Sequence, residues 1–80
     1  MLNQNQILEY AIKGLTVEIE ELEKAVNKGY ELVKQIENGE KVKTPKTKFE
    51  ILEICRAKKA EIERLDKERF ELSFELNNPQ

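Results

Sequence analysis

Eighty residues with one cysteine, no histidine and a formal charge of −2 already exclude much. A chain this short buries only about 60–65% of the surface its unfolded form exposes and needs a staple, yet a lone cysteine without histidine removes an internal disulfide framework and the usual zinc sites. Oligomerisation or very regular helix packing remains, and 38% charged residues against 6% aromatic, with two prolines and three glycines, point to long exposed helices.

The net charge gives no global drive towards nucleic acid or anionic membrane. The opening "MLNQNQ" lacks the basic start and apolar core of a signal peptide, and no apolar run approaches the roughly 18 residues of a membrane span. A soluble, cytoplasmic protein without membrane association or a small-molecule substrate is therefore expected. The Lys/Glu/Ile/Asn-rich composition suits a small bacterial or phage protein.

The first element starts at Asn3, which with Gln6 forms an N-cap pattern. Apolar residues follow at Leu8, Ile12, Leu15, Ile19, Leu22, Val26, Val33 and Ile36. With Gly29 added, the steps alternate between four and three residues, the seam of a heptad repeat. Asn38-Gly39 supplies a stop, since glycine accepts the left-handed conformation that closes a helix. A helix is expected over about 4–38, then a loop over about 39–46. Thr44-Pro45 can open the second helix, with proline at its first position. Thr47 with Glu50 is the other start, a capping box. The second helix is expected over about 47–77, with its seam at Ile51, Cys55, Lys58, Ile62, Leu65, Arg69, Leu72 and Leu76 and Asn77-Asn78-Pro79 as its end.

The two seams match when the chain doubles back. Val33 then meets Ile51, Gly29 meets Cys55, Val26 meets Lys58 and Leu22 meets Ile62. Ile19 meets Leu65, Leu15 meets Arg69, Ile12 meets Leu72 and Leu8 meets Leu76. The expected fold is all-α, a single antiparallel two-helix hairpin resembling a coiled coil. Gly29 gives up about 1 kcal/mol of helix propensity relative to alanine, and its expected use is close approach of the second helix at Cys55, with a kink or hinge as the alternative. Lys58 and Arg69 sit on the seam, where long stems can lie along apolar surface while the charged heads reach water. Glu61 and Glu68 are their expected acidic neighbours.

A second apolar set, Phe49, Leu52, Ala60, Phe70 and Phe74, faces away from the first helix, and Ala11, Ala25 and Leu32 flank the first seam. Leaving such surface in water forfeits roughly 1.5–3 kcal/mol per large side chain. These eight residues form the candidate interaction face. A second copy, giving a dimeric four-helix bundle, or another helical protein would cover it.

Chemistry is sparse. Cys55, placed opposite Gly29, reads as a small apolar core residue. Glu18, Glu20, Glu21 and Glu23 read as a solvated face interleaved with Lys24 and Lys28. No catalytic residue, metal site or cofactor is expected, and the protein is expected not to be an enzyme. Lys41, Lys43, Lys46 and Lys48 give residues 39–48 a charge of +3, against −3 for residues 1–38 and −2 for residues 49–80. They are candidates for anion contact, although the loop offers no arginine for bidentate phosphate contacts and no aromatic residue for base stacking. The leading functional expectation is a non-catalytic helical protein–protein interaction module, a self-associating scaffold or small regulator. The alternative is a nucleic-acid-binding helical-hairpin dimer using the lysine-rich loop.

Overall fold

A computed structural model describes residues 3–77. It contains two helices, α1 (Gln4–Glu37) and α2 (Lys48–Asn77), and no strand among the described residues. The expected stop at Asn78-Pro79 lies outside them.

Side chains set the helix ends. Asn3 Oδ1 accepts from the Gln6 N–H at 2.8 Å, and Gln6 Oε1 accepts from the Asn3 N–H at 3.0 Å, so two otherwise orphaned donors satisfy each other's residues. At the far end Gly39 takes φ 77°. Its N–H donates to the Ile36 carbonyl and the Glu40 N–H to the Gln35 carbonyl, both at 3.0 Å. This is the Schellman arrangement, and it needs a residue without a Cβ penalty at the left-handed position. Of the two possible starts for α2, the chain uses Thr47. The Thr47 hydroxyl accepts from the Glu50 N–H at 3.2 Å and donates to Glu50 Oε1 at 3.4 Å. Pro45 falls in the bend before the helix.

Contacts between the helices run in opposite chain order: Gly29 lies against Cys55, Val26 against Cys55 and Thr16 against Arg69. The helices are therefore antiparallel. The result is a rod of 57 × 20 × 16 Å with a radius of gyration of 17.5 Å, where a compact 80-residue domain would have about 12 Å.

The tightest packing lies towards the loop. Val26, Val33, Ile51 and Cys55 are buried together, with Leu32, Ile36 and Ile62 packed against them. A Cβ built on Gly29 would stand 2.5 Å from Cys55 Sγ and 3.4 Å from Ile51 Cγ2, so glycine is what lets α2 approach here. The Cys55 thiol donates weakly to the Val26 carbonyl at 3.7 Å. Leu8, Ile19 and Leu65 are buried nearer the termini, whereas Ile12, Leu15, Leu22, Leu72 and Leu76 are only half-buried. Two helices shield a seam from each other and leave its edges open.

Both seam cations are half-buried. Arg69 donates to Thr16 Oγ1 across the seam at 3.3 Å and to Asp66 Oδ1 at 2.5 Å. Thr16 in turn donates to the Ile12 carbonyl at 2.8 Å. The carboxylates expected to serve Lys58 and Arg69 are engaged elsewhere: Glu61 is paired with Arg64, and Glu68 lies 3.8 Å from the same guanidinium. Asp66, three residues before Arg69 on the same helix, reaches its head more directly than Glu68.

Candidate interaction surface

Facing away from α1, helix α2 carries a long stripe that begins and ends with aromatic rings. Phe49 is 73% exposed and Phe70 is 69% exposed, and Phe74 and Leu52 are also open to solvent. Ala60 lies exposed between them. Positions 49, 53, 56, 60, 63, 67, 70 and 74 again alternate in four- and three-residue steps, so the stripe is a second heptad face. Its middle is charged, with Glu53, Arg56, Glu63 and Lys67. Arg56 lies 3.2 Å from Glu53 as an exposed i,i+3 pair, a geometry that contributes about 0–1 kcal/mol.

The two edges of the rod differ. On one, Glu23, Val26, Asn27, Tyr30, Lys59 and Ile62 line a shallow groove between the helices, and Tyr30 continues it onto Leu52, Arg56 and Ala60. The Lys59 ammonium stands 5.9 Å above the Tyr30 ring, joining the helices by a cation–π contact. On the other edge, Glu18, Glu21, Leu22, Ala25, Lys58 and Glu61 line a more charged groove with Leu65.

This geometry divides the eight residues of the candidate face. Leu52 and Ala60 share the Tyr30 groove, while Ala25 lines the opposite edge. Ala11 is exposed on α1. Leu32 packs against the buried cluster. Sequence reasoning passed over Ile7, Tyr10, Val17, Tyr30 and Ile54, all exposed. They stand off the strict heptad positions, and the available signal was their size rather than their spacing.

The lysines of the loop are not equivalent. Lys41, Lys43 and Lys46 are exposed, whereas Lys48 is half-buried, its ammonium 5.6 Å above the Phe49 ring. Three cations therefore crown the tip, and the fourth lies over the end of the aromatic stripe.

Electrostatics on α2 are local. The Arg64 guanidinium, hydrogen-bonded to Glu61, holds that carboxyl below its ordinary value, and the Arg64 pKa is raised by the same contact. Cys55, at 2% exposure, presents no thiol to solvent. Among the described residues no three metal-ligating side chains gather into a cluster, and no helix is long and apolar enough to cross a membrane. No family model matches the chain, and no curated protein or solved structure matches it.

Proposed function

We propose that this chain is a non-catalytic helical protein–protein interaction module that associates with itself, serving as a scaffold or small regulator through its outer helical faces. The carrying observation is surface area. The hairpin exposes 6571 Å², whereas a compact monomer of 9.4 kDa would expose roughly 5,000 Å². The excess, about 1,500 Å² per chain, is nearly twice the roughly 800 Å² that each partner buries in an interface of standard size. It includes Phe49 and Phe70, large rings left mostly in water. Packing two hairpins as a four-helix assembly would cover part of that surface on both copies at once.

Sedimentation equilibrium tests the reading. Wild-type protein is expected at twice the chain mass, with a melting temperature that rises with concentration. Phe49→Glu combined with Phe70→Glu is expected to yield a helical monomer. A wild type that stays monomeric at high micromolar concentration refutes self-association and leaves a different helical protein as the occupant of the face.

A second reading rests on the tip. Lys41, Lys43 and Lys46 are exposed, and none of them enters an ion pair among the described residues. Contact with nucleic-acid phosphates through these side chains would be weak and would fall steeply with salt. Titration of DNA and RNA at low salt decides it. Absence of binding, or binding unchanged when all four loop lysines become glutamine, ends that reading.

A further inference from the structure

We infer that two copies of the hairpin pack with their α2 helices antiparallel, about a twofold axis passing beside Lys59 and Ala60, so that the lysine tip of each copy lies over the acidic end of the other. This rests on the self-association reading above and adds the face, the orientation and the register.

The charge distribution along α2 selects the orientation. Residues 48–59 carry four cations against two carboxylates, and residues 60–77 carry three cations against six carboxylates. The loop adds Lys41, Lys43 and Lys46 to the basic end. A parallel pair would set like against like along its whole length: Arg56 beside Arg56 of the second copy, Glu63 beside Glu63, and the two lysine tips together. An antiparallel pair sets basic halves against acidic halves, and complementary potentials both favour association and penalise the wrong partner geometry.

Residue positions on the outer stripe then fix the register. With the axis beside Lys59 and Ala60, Arg56 faces Glu63 of the second copy. Phe49 meets Phe70, and Lys67 lies within one residue's rise, about 1.5 Å, of the level of Glu53. Each relation occurs twice by symmetry, since a twofold interface uses the same patch on both chains. Arg56 and Glu63 both project near the middle of the stripe, and Glu53 and Lys67 lie on the same flank of it. Those are the positions that meet across antiparallel helices at about 100° per residue. Ala60, the one small residue at a heptad position of the stripe, falls at the axis, where two backbones must come closest. The aromatic ends are separated by 21 residues, about 30 Å of helix, so the two Phe49–Phe70 contacts would close the interface at both ends. The anion that the basic tip approaches is then the Glu71 and Glu75 end of another copy of this chain.

Two measurements test this separately from self-association itself. In a Cys55→Ala background of confirmed dimeric mass, Arg56→Cys alone is expected to give no disulfide-linked dimer under mild oxidation, because the two positions stand more than a turn apart along the axis. An equimolar mixture of Arg56→Cys and Glu63→Cys chains is expected to cross-link as the mixed dimer, since a disulfide needs Cα atoms within about 7 Å. Independently, Arg56→Glu and Glu63→Arg are each expected to weaken the dimer at least tenfold, while the double reversal returns it to within threefold of wild type. Helicity by circular dichroism confirms that each variant remains folded. A self-linked Arg56→Cys dimer establishes the parallel arrangement and overturns the inference. A dimer that forms neither cross-link, or whose double reversal is no tighter than the singles, places the contact on another face and also overturns it, leaving self-association standing. A monomeric wild type overturns both.

Discussion

Gly29→Ala probes the closest approach between the helices. The added methyl improves helix propensity by about 1 kcal/mol, so on an isolated helix it would stabilise. In the hairpin its carbon would stand 2.5 Å from Cys55 Sγ, nearer than Cβ atoms in folded proteins come to a neighbour. The sulfur has little room to yield, because Cys55 is only 2% exposed and is packed with Val26, Val33 and Ile51. Overpacking of this kind costs about 1–3 kcal/mol. The net expectation is a loss of about 1 kcal/mol, or a fall in melting temperature of about 4–8 °C for a domain of this size. Cys55→Ala alone should also destabilise, by removing buried sulfur and leaving a void. The double variant places the new methyl in the space the sulfur vacates and keeps the propensity gain, so it should be more stable than either single variant, with a coupling of at least 1 kcal/mol. Urea denaturation followed by circular dichroism, at one protomer concentration throughout, measures the cycle. If Gly29→Ala raises stability by the full propensity gain whatever stands at position 55, the helices do not meet there and the packing argument fails.

Three further outcomes follow from local geometry. Gly39→Ala forces a side chain into the left-handed region at φ 77° and should lower stability by about 1–2 kcal/mol, with hydrogen exchange accelerated at the end of α1; an unchanged midpoint would mean that the Schellman turn is not needed. Arg69→Met removes a half-buried cation while Thr16 keeps its bond to the Ile12 carbonyl, so stability should stay within about 1 kcal/mol of wild type or rise; a larger loss would show that the Arg69–Thr16 contact is a principal tie between the helices. Glu61 has its carboxyl pKa held below the ordinary 4.5 by Arg64. Its contribution to stability is therefore present above that ordinary value and is lost as pH falls through the lowered one. Glu61→Gln should flatten the acid limb of the stability profile, and an unaltered limb would show that the pair adds nothing in solution.

The hairpin was legible because several local signals agreed. The four–three alternation of both seams, the Asn3–Gln6 cap and the Asn38-Gly39 stop each depend on residues close in sequence, and together they leave one register in which glycine meets cysteine. The start of α2 was ambiguous because Thr44-Pro45 and Thr47–Glu50 both satisfy the rules of a helix N-terminus. Only the Thr47 hydroxyl reaches the Glu50 N–H here. The partner of Arg69 was missed because Glu68 and Asp66 both lie near it in sequence, and side-chain reach rather than proximity decides between them. The outer surface was the least legible part. Periodicity shows which residues share a face of one helix but not which flank of that helix adjoins which flank of the other. That is why Ala25 falls on the edge opposite Leu52, and why Tyr30, off the seam of its own helix, emerges as the residue joining two grooves.

Register specificity is the deeper consequence of the two irregular seam positions. A heptad pattern by itself tolerates a slip of seven residues, because each a- and d-type position is replaced by another of its kind. Such a slip would set Cys55 against Leu22 or Ile36 instead of Gly29, pressing a large side chain into the place where the helices now come closest. It would also carry the Arg69 guanidinium to Leu8 or Leu22 and away from the Thr16 hydroxyl. A longer apolar residue in place of Cys55 and another in place of Arg69 would enlarge the buried surface, yet would make neighbouring registers more nearly equal in energy. The small residues at one level and the hydrogen-bonded cation at another therefore give up some burial and separate the native alignment from its competitors. The spacing of Phe49 and Phe70 on the outer face does not depend on this choice, because both rings stand on α2 and the helix rise alone sets it.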